Sequence, residues 1–250
     1  MKNNKLIFFT FRDFYKFGGG LIRIDGILNS VSTVAEVTLI SNISEENKKV
    51  LNQNIEHLEI GINFSIFEKR ILQFCLSIFP LFIVNIIFSK KIKQLKEVFE
   101  KYNMENKEII FLEYLDISTG YIAKNNNYIK DYICDIHGLV PNEFKQKKEN
   151  KISNYIKYIS AIMLDRKVFS NSNGIIFASK AMKEYFNKNY TKTINAKFTI
   201  LPYFVSQNSC ENNIDTNLLE NIKNRYKIND NDKDVFFAGG FKTGGGITDL

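Results

Sequence analysis

Short apolar runs alternate with longer helix-patterned stretches along most of the chain, and this alternation restricts the fold more than any other feature. Lys5–Phe11 (KLIFFTF) reads as a strand, followed by a loop that ends in Gly18, Gly19 and Gly20. Leu21, Ile24 and Leu28 then recur at i, i+3 and i+7, the spacing of a helix packed by one face. Val34–Ser41 reads as a second strand. Ser44 is a candidate N-cap for a short helix over 45–53, with Glu45 and Glu46 in the first turn, where the helix dipole favours them. Ile55–Ile62, Glu108–Glu113, Tyr128–Ile136, Gly174–Ala178 and Lys197–Leu201 read as further strands. A long helix over roughly 150–171 carries an apolar stripe of Ile152, Ile156, Ile159 and Met163, and Ser179 stands as N-cap ahead of KAMKEYFNK. Strands alternating with helices imply an α/β fold with an open parallel sheet covered on both faces. LIFFTF, EIIFLE and GIIFA are the near-continuous apolar runs that such covering requires.

The texture changes after Pro202. Ser206–Thr216 is polar and reads as a linker, a helix is expected over roughly 217–226, and Asp234–Ala238 (DVFFA) runs into a glycine-rich end. The expected organisation is a first domain over 1–205, a linker and connecting helix over 206–233, and the start of a second α/β domain over 234–250. With 44% hydrophobic residues the chain can bury a core, which excludes a disordered chain. Three widely spaced cysteines, Cys75, Cys134 and Cys210, exclude a disulfide scaffold and fit a reducing, cytoplasmic compartment.

Ile71–Phe88 is an uncharged stretch flanked by Lys69 and Arg70 on one side and by Lys90, Lys91 and Lys93 on the other. Three readings apply: a buried or groove-lining helix, insertion at an anionic membrane surface, or a span. Gln73, Asn85 and a helix-breaking Pro80 argue against the span. So do basic residues on both flanks, which leave no asymmetry to set an orientation. The net charge of +7 suits phosphorylated or anionic partners, or is a solvated surface. No interleaving of basic and aromatic residues points to nucleic acid.

Three places could carry chemistry. Glycines at 18–20 let backbone approach a ligand at a helix start, or make a flexible turn; with Arg23 in place of a third glycine the dinucleotide fingerprint fails. Asp135-Ile136-His137-Gly138 follows a strand directly, where open α/β sheets bind ligands. There His137 either meets a hydroxyl or carries a proton, or it caps a turn. The other histidine, His57, lies on an apolar strand and reads as structural. Gly239-Gly240-Phe241-Lys242 suits a diphosphate, or is a turn; it is not a Walker motif. No metal-ligand spacing is present, nor any nucleophile elbow.

Taken in order, these segments resemble a GT-B glycosyltransferase of the family 4 kind, as found in bacterial polysaccharide and capsule synthesis. The resemblance runs through LIFFTF, the GGG loop, Arg23, VTLIS, DIHGLVPNE, NGIIFASKAMKEYF, TILPYFV and DVFFAGGFKTGG. It implies a Rossmann-like N-terminal lobe followed by the beginning of a second one. The implied reaction transfers a sugar, a hexosyl group, from a nucleotide-sugar donor to a saccharide or lipid-linked acceptor. Retention at the anomeric carbon and independence of metal or other cofactor are implied with it. His137 would be the catalytic contact to sugar hydroxyls. Gly19, Gly20, Asp135 and Gly138 would contact substrate, and Gly239, Gly240 and Lys242 would hold the donor phosphate. The family's second domain is much longer than the stretch from Asp234 to Leu250, so a chain inactive by itself is expected. The alternative is a non-catalytic module that binds an acceptor or a partner. A basic, peripheral attachment to the inner face of a membrane would suit a lipid-linked acceptor.

Overall fold

A computed structural model describes residues 5–12, 19–42, 53–146, 150–190 and 196–202. Seven strands form one sheet: β1 (Lys5–Thr10), β2 (Glu36–Ser41), β3 (Ile55–Glu59), β4 (Glu108–Phe111), β5 (Asp131–Ile136), β6 (Gly174–Phe177) and β7 (Lys197–Ile200). Their order is β3-β2-β1-β4-β5-β6-β7, and every pair is parallel. The expected α/β class with an open parallel sheet is therefore what forms. The helices among the described residues are α1 (Gly19–Ser32), α2 (Ile66–Ile78), α3 (Leu81–Ile87), α4 (Ser89–Lys101), α5 (Ile117–Asn125), α6 (Val140–Gln146), α7 (Lys151–Asn171) and α8 (Lys180–Tyr190).

Side-chain alternation divides the core in two. Phe8, Leu39, Ile110 and Leu112 point to one face, where Ile24, Ile27 and Leu28 of α1 cover them. Phe9, Phe111, Tyr132, Cys134 and Phe177 point to the other, against α2, α4, α5, α7 and α8. Phe9 lies at the centre of that second face, with ring centroids 4.9 Å from both Phe11 and Phe111. Gly120 lets α5 sit directly on the sheet: a Cβ there would stand 2.9 Å from the rings of Phe111 and Tyr132.

Several expected boundaries move. β2 starts at Glu36 because Val34 is exposed in the turn leaving α1. β5 starts at Asp131, since Asn127 takes a left-handed φ of 59° where α5 ends and 128–130 belong to the following turn. The uncharged stretch 71–88 is two helices, broken where Phe79 is extended ahead of Pro80 (φ −97°, ψ 152°), as a residue before proline prefers. Among the described residues no helix is long and apolar enough to cross a membrane. The stripe Ile152, Ile156, Ile159 and Met163 is real, but it faces outward. α7 is buried instead through Asn154, Ala161, Leu164, Asp165, Val168 and Phe169.

The chain divides into two units, Met1–Phe204 and Val205–Leu250. All described residues lie in the first. The helix expected over 45–53, apart from its last residue in a turn, the helix expected over 217–226 and the strand at Asp234–Ala238 lie outside the described residues, as do Gly18, Gly239, Gly240 and Lys242.

Candidate functional site

The chain leaves β1 for β2 and β3 on one side, then returns to β4 on the other. The strand order therefore reverses between β1 and β4. Open parallel sheets leave a crevice beyond the carboxyl ends of the strands at such a reversal, because neighbouring connections depart to opposite faces. Three ion pairs line this end of the central strands. Arg12, after β1, bonds Glu113, after β4. Lys69 of α2 reaches Asp116 at 3.1 Å. Arg23 of α1 binds Asp135 of β5 through two parallel bonds, Nε to Oδ2 at 2.9 Å and Nη2 to Oδ1 at 2.6 Å.

The pairs differ in what they leave open. Asp116 is fully buried and accepts further bonds from Thr10 Oγ1 at 2.8 Å and the Phe11 backbone N–H at 3.0 Å. It thereby ties the end of β1 to the start of α5. Arg23 and Asp135 are also sealed, and Arg23 Nη1 donates to the Leu201 carbonyl at 2.7 Å. This single guanidinium joins α1, β5 and the segment after β7. Arg12 and Glu113 stay partly open. Burial raises the Glu113 carboxyl and nearby Asp116 adds to the rise, opposed by Arg12 and, more weakly, His137.

His137 stands one residue past β5, on the same side of the strand as Asp135, with 21% of its side chain exposed. Its Nδ1 is buried, lies 3.9 Å from Asp135 Oδ2, and has no hydrogen-bond partner among the described residues. Gly138 follows, and a Cβ there would come 3.3 Å from Glu143 Oε1. The sequence-expected residues are thus placed unequally. His137 and Gly138 are at the carboxyl edge. Gly19 and Gly20 open α1, whose Arg23 reaches that same edge. Asp135 is beneath the edge, with both oxygens taken by Arg23 and no exposed surface. His57 is structural, as expected: its Nε2 lies 3.2 Å from both Ser41 Oγ and the Ser41 carbonyl. Sequence reasoning missed Arg12, Glu113, Lys69 and Asp116. The available signal was a charged residue immediately after the apolar runs KLIFFTF and EIIFL. Among the described residues no group of His, Cys, Asp and Glu could hold a metal ion.

Behind Gly138 lies a cavity of about 10 Å³, walled by Tyr114, Pro141, Asp165, Tyr185 and Tyr190, at the lower limit for one water. Asp165 accepts from the hydroxyls of Tyr114 at 2.6 Å and Tyr190 at 2.9 Å. Burial outweighs those two bonds and pushes its carboxyl up to about 7. Between the unfolded value near 4 and about 7 the native state holds the extra proton, so stability falls as pH rises through that window. The full change is about 4 kcal/mol, from about 1.4 kcal/mol per pH unit. Asp165→Asn is expected to remove this slope, narrowing the difference in Tm between pH 5 and about pH 8; equal slopes in both proteins contradict it.

No protein-family model matches the sequence, and no curated protein does. Solved structures do resemble the chain. A sucrose-phosphate synthase structure from Thermosynechococcus elongatus shares 10% identity over 90% of this chain and 99% of that one, with a TM-score of 0.45. A glycosyltransferase from Rickettsia africae ESF-5 shares 19% identity over 91% of this chain and 51% of that one, with a TM-score of 0.46. Phytolacca americana UGT2, solved with UDP-2fluoro-glucose and pterostilbene, shares 7% over 82% of this chain and 56% of that one, with a TM-score of 0.48. The chain spans about half the length of the last two.

Proposed function

We propose that this lobe holds the acceptor side of a glycosyltransferase. The enzyme moves a hexosyl group from a nucleotide-sugar to a saccharide or lipid-linked acceptor in cell-surface polysaccharide synthesis. The observation that carries the reading is the partly exposed His137, whose Nδ1 is unpartnered among the described residues, at the carboxyl end of β5 beside the strand-order reversal. The order of motifs along the chain, from LIFFTF to DVFFAGGFKTGG, supports it as well.

In this reading Asp135, fixed by Arg23, presents a carboxylate 3.9 Å from Nδ1 of the imidazole. With Nδ1 turned toward the carboxylate, Nε2 is left to bond hydroxyls of the donor sugar or acceptor. Gly138 keeps the space beside the ring clear, and Gly19 and Gly20 let the loop after β1 approach the donor phosphate. Gly239, Gly240 and Lys242 would stabilise the departing diphosphate, whose negative charge grows in the transition state and favours fixed donors. Oriented hydrogen bonds and a cationic phosphate site suffice for this step, so the proposal includes no metal and no cofactor. Retention of anomeric configuration belongs to the same proposal, as do a cytoplasmic location and peripheral attachment to the membrane.

Calorimetry tests the division of labour. The chain is titrated separately with a panel of nucleotide-sugars and a panel of oligosaccharides. Saccharide binding that weakens in His137→Ala supports an acceptor lobe. Absence of saccharide binding, with tight nucleotide binding unaffected by that change, contradicts it.

A further inference from the structure

The three ion pairs at the carboxyl ends of the central strands are not equivalent. Arg23–Asp135 is sealed and Lys69–Asp116 nearly so, whereas the side chains of Arg12 and Glu113 keep 27% and 15% of their surface. Only Oε1 of Glu113 is engaged, accepting from Arg12 Nη1. Its Oε2 bonds nothing among the described residues, and neither do Nε and Nη2 of Arg12. The His137 ring, past the neighbouring strand β5, is close enough to act electrostatically on the Glu113 carboxyl.

The open pair is held from behind. Thr10 Oγ1 donates to Asp116 at 2.8 Å and accepts the Arg12 backbone N–H at 3.0 Å. The Asp116 backbone N–H closes a turn on the Glu113 carbonyl at 2.9 Å. Asp116 therefore fixes the backbone on both sides, and groups fixed before a ligand arrives lose little freedom on binding it.

A free acceptor and free donors thus stand side by side, with charges that cancel. An anion would meet the Glu113 carboxylate and a cation the Arg12 guanidinium. An apolar group would strip water from both and bond neither. A neutral hydroxyl donates one bond and accepts others, so adjacent hydroxyls can satisfy carboxylate and guanidinium together.

We infer that Glu113 is the ligand-selecting carboxylate of this crevice: its Oε2 accepts from a hydroxyl of a neutral sugar while Arg12 donates to a neighbouring hydroxyl oxygen. The inference rests on the acceptor-lobe reading and deepens it by naming the pair that selects the ligand class.

The full chain is titrated, by ligand-observed NMR, with the methyl glycosides of glucose, galactose, mannose and N-acetylglucosamine, with their monodeoxy analogues, and with inorganic phosphate. At least one glycoside is expected to bind, and phosphate is not. Glu113→Gln should weaken that glycoside about tenfold or more, the range for a hydrogen bond to a charged group. In the wild type one monodeoxy analogue should show the same loss, and in Glu113→Gln that analogue should bind no more weakly than its parent. Glu113→Asp keeps the charge beside Arg12 but withdraws the oxygen by one methylene; it should show the same selective loss, so the result does not depend on one variant folding. A carboxylate with a structural role alone would weaken the parent and every analogue alike, and that uniform loss overturns the inference. Phosphate binding in place of the glycosides also overturns it, making the crevice an anion site. Glycoside binding that His137→Ala weakens but neither Glu113 variant changes overturns the contact and leaves the acceptor lobe standing. No glycoside binding to the wild type overturns the inference, and the acceptor lobe falls with it only if the oligosaccharides also fail to bind.

Discussion

Arg23→Ala is expected to destabilise the lobe by about 3–5 kcal/mol, the cost of leaving a buried carboxylate without its partner. For a domain of this size that lowers Tm by roughly 6–20 °C. The magnitude follows from geometry: both side chains of the pair are fully enclosed, and the guanidinium also holds the Leu201 carbonyl. Arg23→Lys should recover little, because one ammonium cannot supply two parallel bonds and a third to a carbonyl. Arg23→Met with Asp135→Leu separates burial cost from lost bonding. Replacing both charges by apolar groups of similar volume is often close to neutral, so the double variant should be more stable than Arg23→Ala. Thermal unfolding of the three variants checks this. A loss under about 1 kcal/mol in Arg23→Ala would mean that water reaches Asp135 and that the pair does not organise this end of the sheet.

His137→Ala is expected to do the reverse: little to stability and much to function. The ring leaves no buried partner unsatisfied when removed, since its Nδ1 bonds nothing among the described residues, and part of the side chain is already exposed. Tm should therefore stay within about 3 °C of the wild type, at roughly 2–4 °C per kcal/mol. Where transfer is followed as release of nucleoside diphosphate, the rate should fall about 100-fold or more, the lower range for loss of a positioned acid or base. A large fall in Tm with transfer unchanged would make His137 a turn-capping residue.

The strands were legible because covering both faces of a parallel sheet leaves them nearly all apolar; KLIFFT, EIIF and GIIF stand out for that reason. Helix faces were less so. Ile152, Ile156, Ile159 and Met163 have the period of a packed stripe, yet α7 buries Asn154, Ala161 and Asp165 instead. Period reports an apolar face but not what covers it. The start of α2 was encoded in Ser65 and Glu68, which form a reciprocal capping box, and went unread beneath the longer apolar run. α5 has almost no amphipathic signal because it is buried all round, Ser118, Thr119 and Gly120 included. At the candidate site, the position of His137 followed from its place after a strand. The partner of Asp135 did not: Arg23 is 112 residues away in sequence, and only the finished sheet brings them together.

The chain has 2 histidines, one at the proposed site and one on the outer strand β3, and this gives the most direct test. In a spectrum of histidine-labelled protein each ring gives its own signal, assigned with His137→Ala, while nucleotide-sugars and oligosaccharides are added in turn. A ligand seated in the crevice should shift the His137 signal and leave His57, held by Ser41, in place. Ligand binding that moves His57 alone, or that leaves both rings untouched, would contradict a sugar site at the carboxyl ends of β1, β4 and β5.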